Sequence, residues 1–189
     1  MPEPTAAVSA DAEPSGAATE GDATAKFRVH IAGPIEAVWA EITRTDAPIL
    51  AFFNSRMHAN RLAPGARLAM RTANGRYTGV VGEIVEFEPP RRFAHTFRFT
   101  AYDDPECTVV YDLEEQAGGT LFTLTIRDLP AGTKTAKQMV QGGKMITSTL
   151  KSVIETGRAP FGIRLLYLFF DLMAPATPKR SRSEHWPID

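Results

Sequence analysis

The sequence predicts an α+β domain in which one antiparallel sheet with an apolar face curls around a long helix. Three observations predict this fold class. An alternating strand occupies residues 26–31, a run of strands separated by turn residues fills 57–128, and a helix with 3.6-residue apolar spacing then continues to Gly157. Because the strands are consecutive and their links are short, antiparallel pairing is expected.

The chain is expected to begin with a strand and two short helices. Apolar and polar residues alternate over 26–31, which is the period of a half-buried strand. Pro34 is expected at the first position of a helix with one apolar face. Asp46 is expected to cap a second short helix over residues 47–54.

The strands of 57–128 are separated by turn signals such as Asn74-Gly75 and Gly118-Gly119. Side chains on a strand point alternately to its two faces, so the more apolar face of each strand is expected to face the interior. The predicted inward residues are Phe93, His95, Phe97, Phe99, Val109, Tyr111, Leu113, Phe122, Leu124 and Ile126.

The long helix is expected to start at a capping box formed by Thr135 and Gln138. Two adjacent glycines, Gly142 and Gly143, interrupt it and cost about 1 kcal/mol each relative to alanine. They permit either a kink or a close approach of the helix to the sheet.

Composition and charge exclude few classes of protein. The formal net charge of -1 gives no general attraction to nucleic acid, and the single cysteine, Cys107, allows no internal disulfide. Residues 1–25 carry five acidic and no basic side chains and lack the apolar segment of a signal peptide. We therefore expect a disordered N-terminal tail over 1–25 and a cytoplasmic protein.

The C-terminal extension, residues 158–189, follows the predicted domain of 26–157. It contains a very apolar helix at 161–173, with Arg164, Tyr167 and Asp171 on one narrow stripe. Thirteen residues are fewer than the roughly 20 that span a bilayer, so no transmembrane span is expected.

Docking of this helix on its own domain, on a second subunit or in a membrane interface stays open, and the first two fit better. The residues predicted to form a homodimer contact are Phe161, Leu165, Leu168, Phe169 and Leu172.

Several stretches resemble the bacterial proteins similar to the C-terminal domain of the Hsp90 ATPase activator, within the SRPBCC or START-like superfamily. They are AGPIEAVWAEIT at 32–43, APGARLAMR at 63–71, GEIVEFEPPRRFAHTFRF at 82–99, TVVYDLEEQAGGTLFTLTI at 108–126 and GGKMITSTLKSVIETG at 142–157. The resemblance implies a helix-grip (START/Bet v 1-like) fold. The sequence departs from the family pattern at Lys144, where relatives commonly have an aromatic residue.

The resemblance implies three functions. The first is binding or carriage of a small hydrophobic ligand, a lipid or an aromatic metabolite, in an internal cavity. The second is a cyclase-like or hydrolyase-like enzyme, for which His95, Tyr111 and Glu83 are the acid/base candidates. The third is a protein-interaction or co-chaperone role, which we expect less because the activator stimulates through a further N-terminal domain. Ligand binding is the preferred hypothesis.

We expect the ligand cavity to be lined by apolar and aromatic residues with two polar ones, although the same pattern also fits a solid core. No catalytic residue, cofactor or metal is predicted, because the four histidines are scattered and no nucleotide-binding spacing is present. The predicted cavity residues are Trp39, Phe53, Tyr77, Phe93, His95, Phe97, Tyr111, Phe122, Met139 and Ile146.

Overall fold

A computed structural model describes residues 23–173 and 177–188, without the side chain of Asp171. The strands are β1 (Ala25–Ile31), β2 (Arg56–Ala59), β3 (Arg67–Arg71), β4 (Thr78–Glu88), β5 (Arg92–Phe99), β6 (Cys107–Gln116) and β7 (Gly119–Arg127). The helices are α1 (Ile35–Ile42), α2 (Lys134–Thr156) and α3 (Phe161–Met173). Of the predicted tail, 1–25, residues 1–22 lie outside the described residues. Strand β1 already begins at Ala25, the last residue of the predicted tail.

The seven strands form one antiparallel sheet in the order β1-β7-β6-β5-β4-β3-β2. The register shifts between Met70 and Arg71 of β3 and between Ile84 and Glu86 of β4, and such bulges bend a strand. Gly82 lies at a close approach of β4 to β5, where a Cβ atom would be 1.8 Å from the Thr96 carbonyl oxygen. The curved sheet, with α2 packed against β1, confirms the predicted α+β helix-grip class.

Two local predictions were wrong. The second short helix is a single 3-10 turn at Leu50–Phe52, and Asp46 does not cap it because Ile49 occupies the N-cap position. The cap of α2 is Thr133 rather than Thr135, since the Thr133 hydroxyl accepts a hydrogen bond from the Ala136 amide at 3.1 Å. The predicted C-terminus of α2 is confirmed, because Gly157 ends the helix in the left-handed conformation.

The two adjacent glycines let α2 lie close to the sheet. A Cβ atom on Gly143 would come within 2.3 Å of the Phe27 ring, so only glycine fits there without movement of that ring. A Cβ atom on Gly142 would instead meet Phe53 at an ordinary 3.5 Å. The helix runs unbroken through both residues, and the close approach is the role that the structure supports at Gly143.

One half of the interior is filled by aromatic rings. Trp39 of α1 contacts Phe87, with ring centroids 5.3 Å apart, and Phe87 meets Phe93 edge-on at 5.8 Å. Phe93 stacks on Tyr111 at 5.6 Å, and Tyr111 stacks on Phe122 at 6.0 Å. This continuous aromatic cluster joins α1 to β4, β5, β6 and β7 and forms the solid part of the core.

The C-terminal extension packs on the same domain. Tyr167 of α3 is buried, and its hydroxyl donates to the Leu50 carbonyl. Beyond α3, Ser181 is buried with its hydroxyl 2.9 Å from that of Thr100. Trp186 donates to the Arg180 carbonyl at 2.8 Å and lies beneath the Arg98 guanidinium.

Candidate functional site

The other half of the interior is hollow. A cavity of about 640 Å³ lies between the first half of α2 and strands β3 to β7. Ligand pockets of this kind commonly measure about 300–1,000 Å³. Gly142 and Gly143 line it on the helix side, and Gly142 adds no side chain to the space beside Phe53.

The cavity has a buried floor and a partly exposed rim. Val109, Leu124 and Ile126 on the sheet are each at most 2% exposed and line its deep end. At the opposite side, Phe53 is 36% exposed and Phe170 of α3 is 44% exposed, and both line the cavity. These two aromatic side chains therefore form part of the exposed rim of the cavity.

Seven of the ten predicted cavity residues lie in this wall, and the other three lie in the solid aromatic half of the core. Trp39, Phe93 and Phe122 do not line the cavity. Trp39 and Phe93 pack against Phe87, and Phe122 packs against Tyr111. The seven wall residues are Phe53, Tyr77, His95, Phe97, Tyr111, Met139 and Ile146.

The C-terminal extension supplies wall residues that the sequence predictions omitted. Tyr167, Phe170 and Met173 of α3 line the cavity, as do Thr177 and Ser181 beyond it. The sequence feature that could have identified them is the apolar composition of α3 on nearly every face. A helix that packs on one side only needs a single apolar face. Lys144 is exposed and lies outside the wall, whereas Met145 lies within it.

His95 and Tyr111 are the polar residues at the deep end. His95 is 1% exposed and Tyr111 is 4% exposed. The Nδ1 atom of His95 lies 2.8 Å from the Thr96 carbonyl oxygen. A carbonyl only accepts, so Nδ1 carries the proton and Nε2 presents a lone pair. The Tyr111 hydroxyl lies 3.5 Å from that Nε2 atom, which is long for a hydrogen bond.

Burial keeps both of these groups neutral. Desolvation lowers the pKa of His95 to about 4, and the hydrogen bond to Thr96 opposes this shift only in part. Desolvation also raises the pKa of Tyr111 above its ordinary value. The floor of the cavity therefore offers one neutral acceptor and one neutral donor at physiological pH.

Other candidate groups do not join this pair. Glu83 is exposed and lies outside the wall. Burial raises the pKa of the Cys107 thiol to about 12, which disfavours the reactive thiolate. Among the residues that the structure describes, no group of three or more acidic, histidine or cysteine side chains is arranged to hold a metal ion, and no helix is long and apolar enough to cross a membrane.

Residues 32–155 match the family model described as Activator of Hsp90 ATPase homolog 1-like protein. The chain belongs to this family. The match spans α1, the strands from β2 to β7 and nearly all of α2, so both the aromatic cluster and most of the cavity wall lie within it. No functionally curated protein matches the sequence.

Solved structures support the same fold. Protein MLL2253 from Mesorhizobium loti is 17% identical with a TM-score of 0.59, covering 70% of this chain and 97% of its own. The Aha1 dimer from Colwellia psychrerythraea is 14% identical with a TM-score of 0.59, covering 71% and 98%. CalU16 from Micromonospora echinospora is 20% identical with a TM-score of 0.56, covering 82% and 87%. At these identities the likeness shows the fold alone.

The pKa of His95 predicts an acid-sensitive contribution to stability. Because the folded pKa of about 4 lies below the ordinary value of 6.5, the contribution is fully present above pH 6.5 and is lost as the pH falls toward 4. Between pH 7 and pH 4.5 the wild type should lose about 2–3 kcal/mol more unfolding free energy than His95→Gln in urea titrations. The control His30→Gln, at an exposed position, should lose as much as the wild type.

The same shift is measurable without a variant. Long-range ¹H–¹⁵N spectra should show His95 still neutral at pH 6, with its proton on Nδ1. Protonation of His95 near pH 6.5 would contradict a buried, desolvated position of its ring.

Proposed function

We propose that this protein binds a small hydrophobic molecule, a lipid or an aromatic metabolite, in the cavity between α2 and the sheet. The observation that supports the proposal is the cavity of about 640 Å³ with an apolar, buried floor. Burying roughly 300 Å² of apolar ligand surface contributes about 7 kcal/mol before the cost of association, which is compatible with micromolar affinity.

We propose binding or carriage rather than catalysis. A general acid or base works best with a pKa near the operating pH. His95 has a pKa of about 4 and the pKa of Tyr111 is raised above its ordinary value, so neither group is set to exchange protons at neutral pH. Both are suited to holding a ligand by hydrogen bonds.

A cavity-filling substitution tests this proposal. Val109→Phe places a ring into the floor, so it should weaken binding of a neutral fluorescent probe, N-phenyl-1-naphthylamine, by at least about tenfold. Val140→Phe makes the same change at a helix position that is 41% exposed and outside the wall, and it should leave the affinity unchanged. The measurements are fluorescence titration and melting temperature for each variant.

Two results would contradict the proposal. Wild-type protein that binds no probe would remove its basis. Undiminished binding to a folded Val109→Phe variant would place the probe elsewhere, for which the exposed face of α3 is the first candidate.

We also propose that two copies pair through the outer face of α3. Its large apolar residues remain exposed: Phe161 79%, Leu165 58%, Leu168 65%, Phe169 54% and Leu172 75%. They lie opposite the face formed by Ile163, Leu166 and Tyr167, which contacts the domain. A helix that is apolar on two opposite faces is suited to lie between two bodies.

The spacing of these residues favours a second copy as the partner. Phe161, Leu165, Leu168 and Leu172 follow intervals of four, three and four residues, which is the seam of a coiled coil. These intervals read the same in both directions, so an antiparallel pair about a twofold axis brings Phe161 opposite Leu172 and Leu165 opposite Leu168. The structurally similar Colwellia protein is described as a dimer, which also supports pairing.

A charge placed in the seam tests the dimer. Leu165→Glu should convert a dimer into a monomer in size-exclusion chromatography with light scattering, because it buries an unpaired carboxylate. Val140→Glu changes another exposed apolar helix residue and should stay dimeric. A wild-type monomer at about 100 μM, or adsorption of wild type but not Leu165→Glu to neutral phosphatidylcholine vesicles, would contradict pairing by this seam.

A further inference from the structure

The deep end of the cavity contains a polar pair whose hydrogen bonding is incomplete. The Nδ1–H of His95 is used by the Thr96 carbonyl, which leaves the Nε2 lone pair facing Tyr111. The 3.5 Å from Nε2 to the Tyr111 hydroxyl exceeds the roughly 2.8 Å that hydroxyl hydrogen bonds prefer. Within the described part of the chain, neither atom has another polar partner. A buried polar group with an incomplete bond costs free energy.

The chemistry of this pair selects the polar group that fits beside it. Tyr111 offers a proton and His95 offers a lone pair, so a partner that both accepts and donates satisfies the two together. A carbonyl accepts from Tyr111 but leaves Nε2 without a proton donor. A hydroxyl does both, and it is the smallest neutral group that can.

The charges around the cavity disfavour a ligand with an anionic group beside Tyr111 and His95. Among the described wall residues, Arg71 alone carries a full charge, and its Nη2 atom donates to the Trp186 carbonyl at 3.0 Å. Arg71 and its cross-strand partner Arg56 lie on the face of the β2–β3 pair opposite the buried Met57 and Met70. A carboxylate beside His95 would therefore lie in a buried site against a lone pair, where the loss of its hydration is costly.

We propose that the cavity takes a neutral apolar molecule of the phenol or apolar alcohol class, with its hydroxyl group innermost between Tyr111 and His95. This inference rests on the proposed ligand-binding function and specifies the ligand for that site. The hydroxyl accepts from Tyr111 and donates to His95 Nε2, while Val109, Leu124 and Ile126 contact the apolar body.

Three probes with one ring system test this inference: naphthalene, 2-naphthol and 2-naphthoate, titrated calorimetrically at pH 7. A hydrogen bond of ordinary net strength corresponds to about a tenfold change in affinity, so 2-naphthol should bind about tenfold more tightly than naphthalene. The naphthoate should bind most weakly of the three. Tyr111→Phe should remove the preference for naphthol while it retains naphthalene binding.

The control Thr108→Val removes a hydroxyl of β6 that lies outside the wall, and the tenfold preference should persist in it. If Tyr111→Phe does not fold, the ¹⁵N shift of His95 Nε2 in wild-type protein supplies the readout, since it should move upfield on addition of 2-naphthol and not of naphthalene.

The outcomes separate this inference from the function on which it rests. Equal affinity for naphthol and naphthalene overturns the hydroxyl assignment but leaves ligand binding intact. Tightest binding of the naphthoate also overturns the assignment. Failure of all three probes to bind overturns both.

Discussion

The contact between Gly143 and Phe27 sets how deeply α2 lies in the curved sheet. At this point the helix backbone meets an aromatic ring of β1, and a Cβ atom would come within 2.3 Å of that ring. Helix α2 can therefore lie close to strand β1 at Gly143. Gly142, beside this contact, adds no side chain next to Phe53, and both glycines line the cavity.

The rest of the interior divides around this contact. Toward α1, the aromatic cluster from Trp39 to Phe122 fills the space. Toward β3 and β4, the cavity remains, and Tyr111 belongs to both halves because it stacks on Phe93 and also lines the cavity. The rigid cluster thus fixes the orientation of the phenol ring, while the Thr96 carbonyl fixes the orientation of the His95 ring.

The fold was predictable because its signals are local. Alternation placed His95, Val109 and Leu124 on the inward faces, and the structure buries all three. Gly157 ended α2 as expected. The cap was assigned to Thr135 instead of Thr133 because both are threonines near the helix start, and only the hydrogen bond to the Ala136 amide distinguishes them.

The site was only partly predictable, because alternation identifies a face and not the volume in front of it. Phe93 and His95 share one face of β5, yet Phe93 packs in the aromatic cluster and His95 lines the cavity. The difference depends on what lies opposite each residue, which sequence periodicity does not contain. For the same reason, the sequence could not show that Tyr167 and Phe170 line the cavity, because this depends on where α3 docks.

A crystal structure of the protein soaked with 2-bromonaphthalene would show where the ligand binds, because bromine can be located by its anomalous scattering. We expect one strong bromine peak per chain within van der Waals distance of the side chains that form the cavity floor. A cavity filled by rearranged side chains, or bromine found only on the outer face of α3, would contradict it.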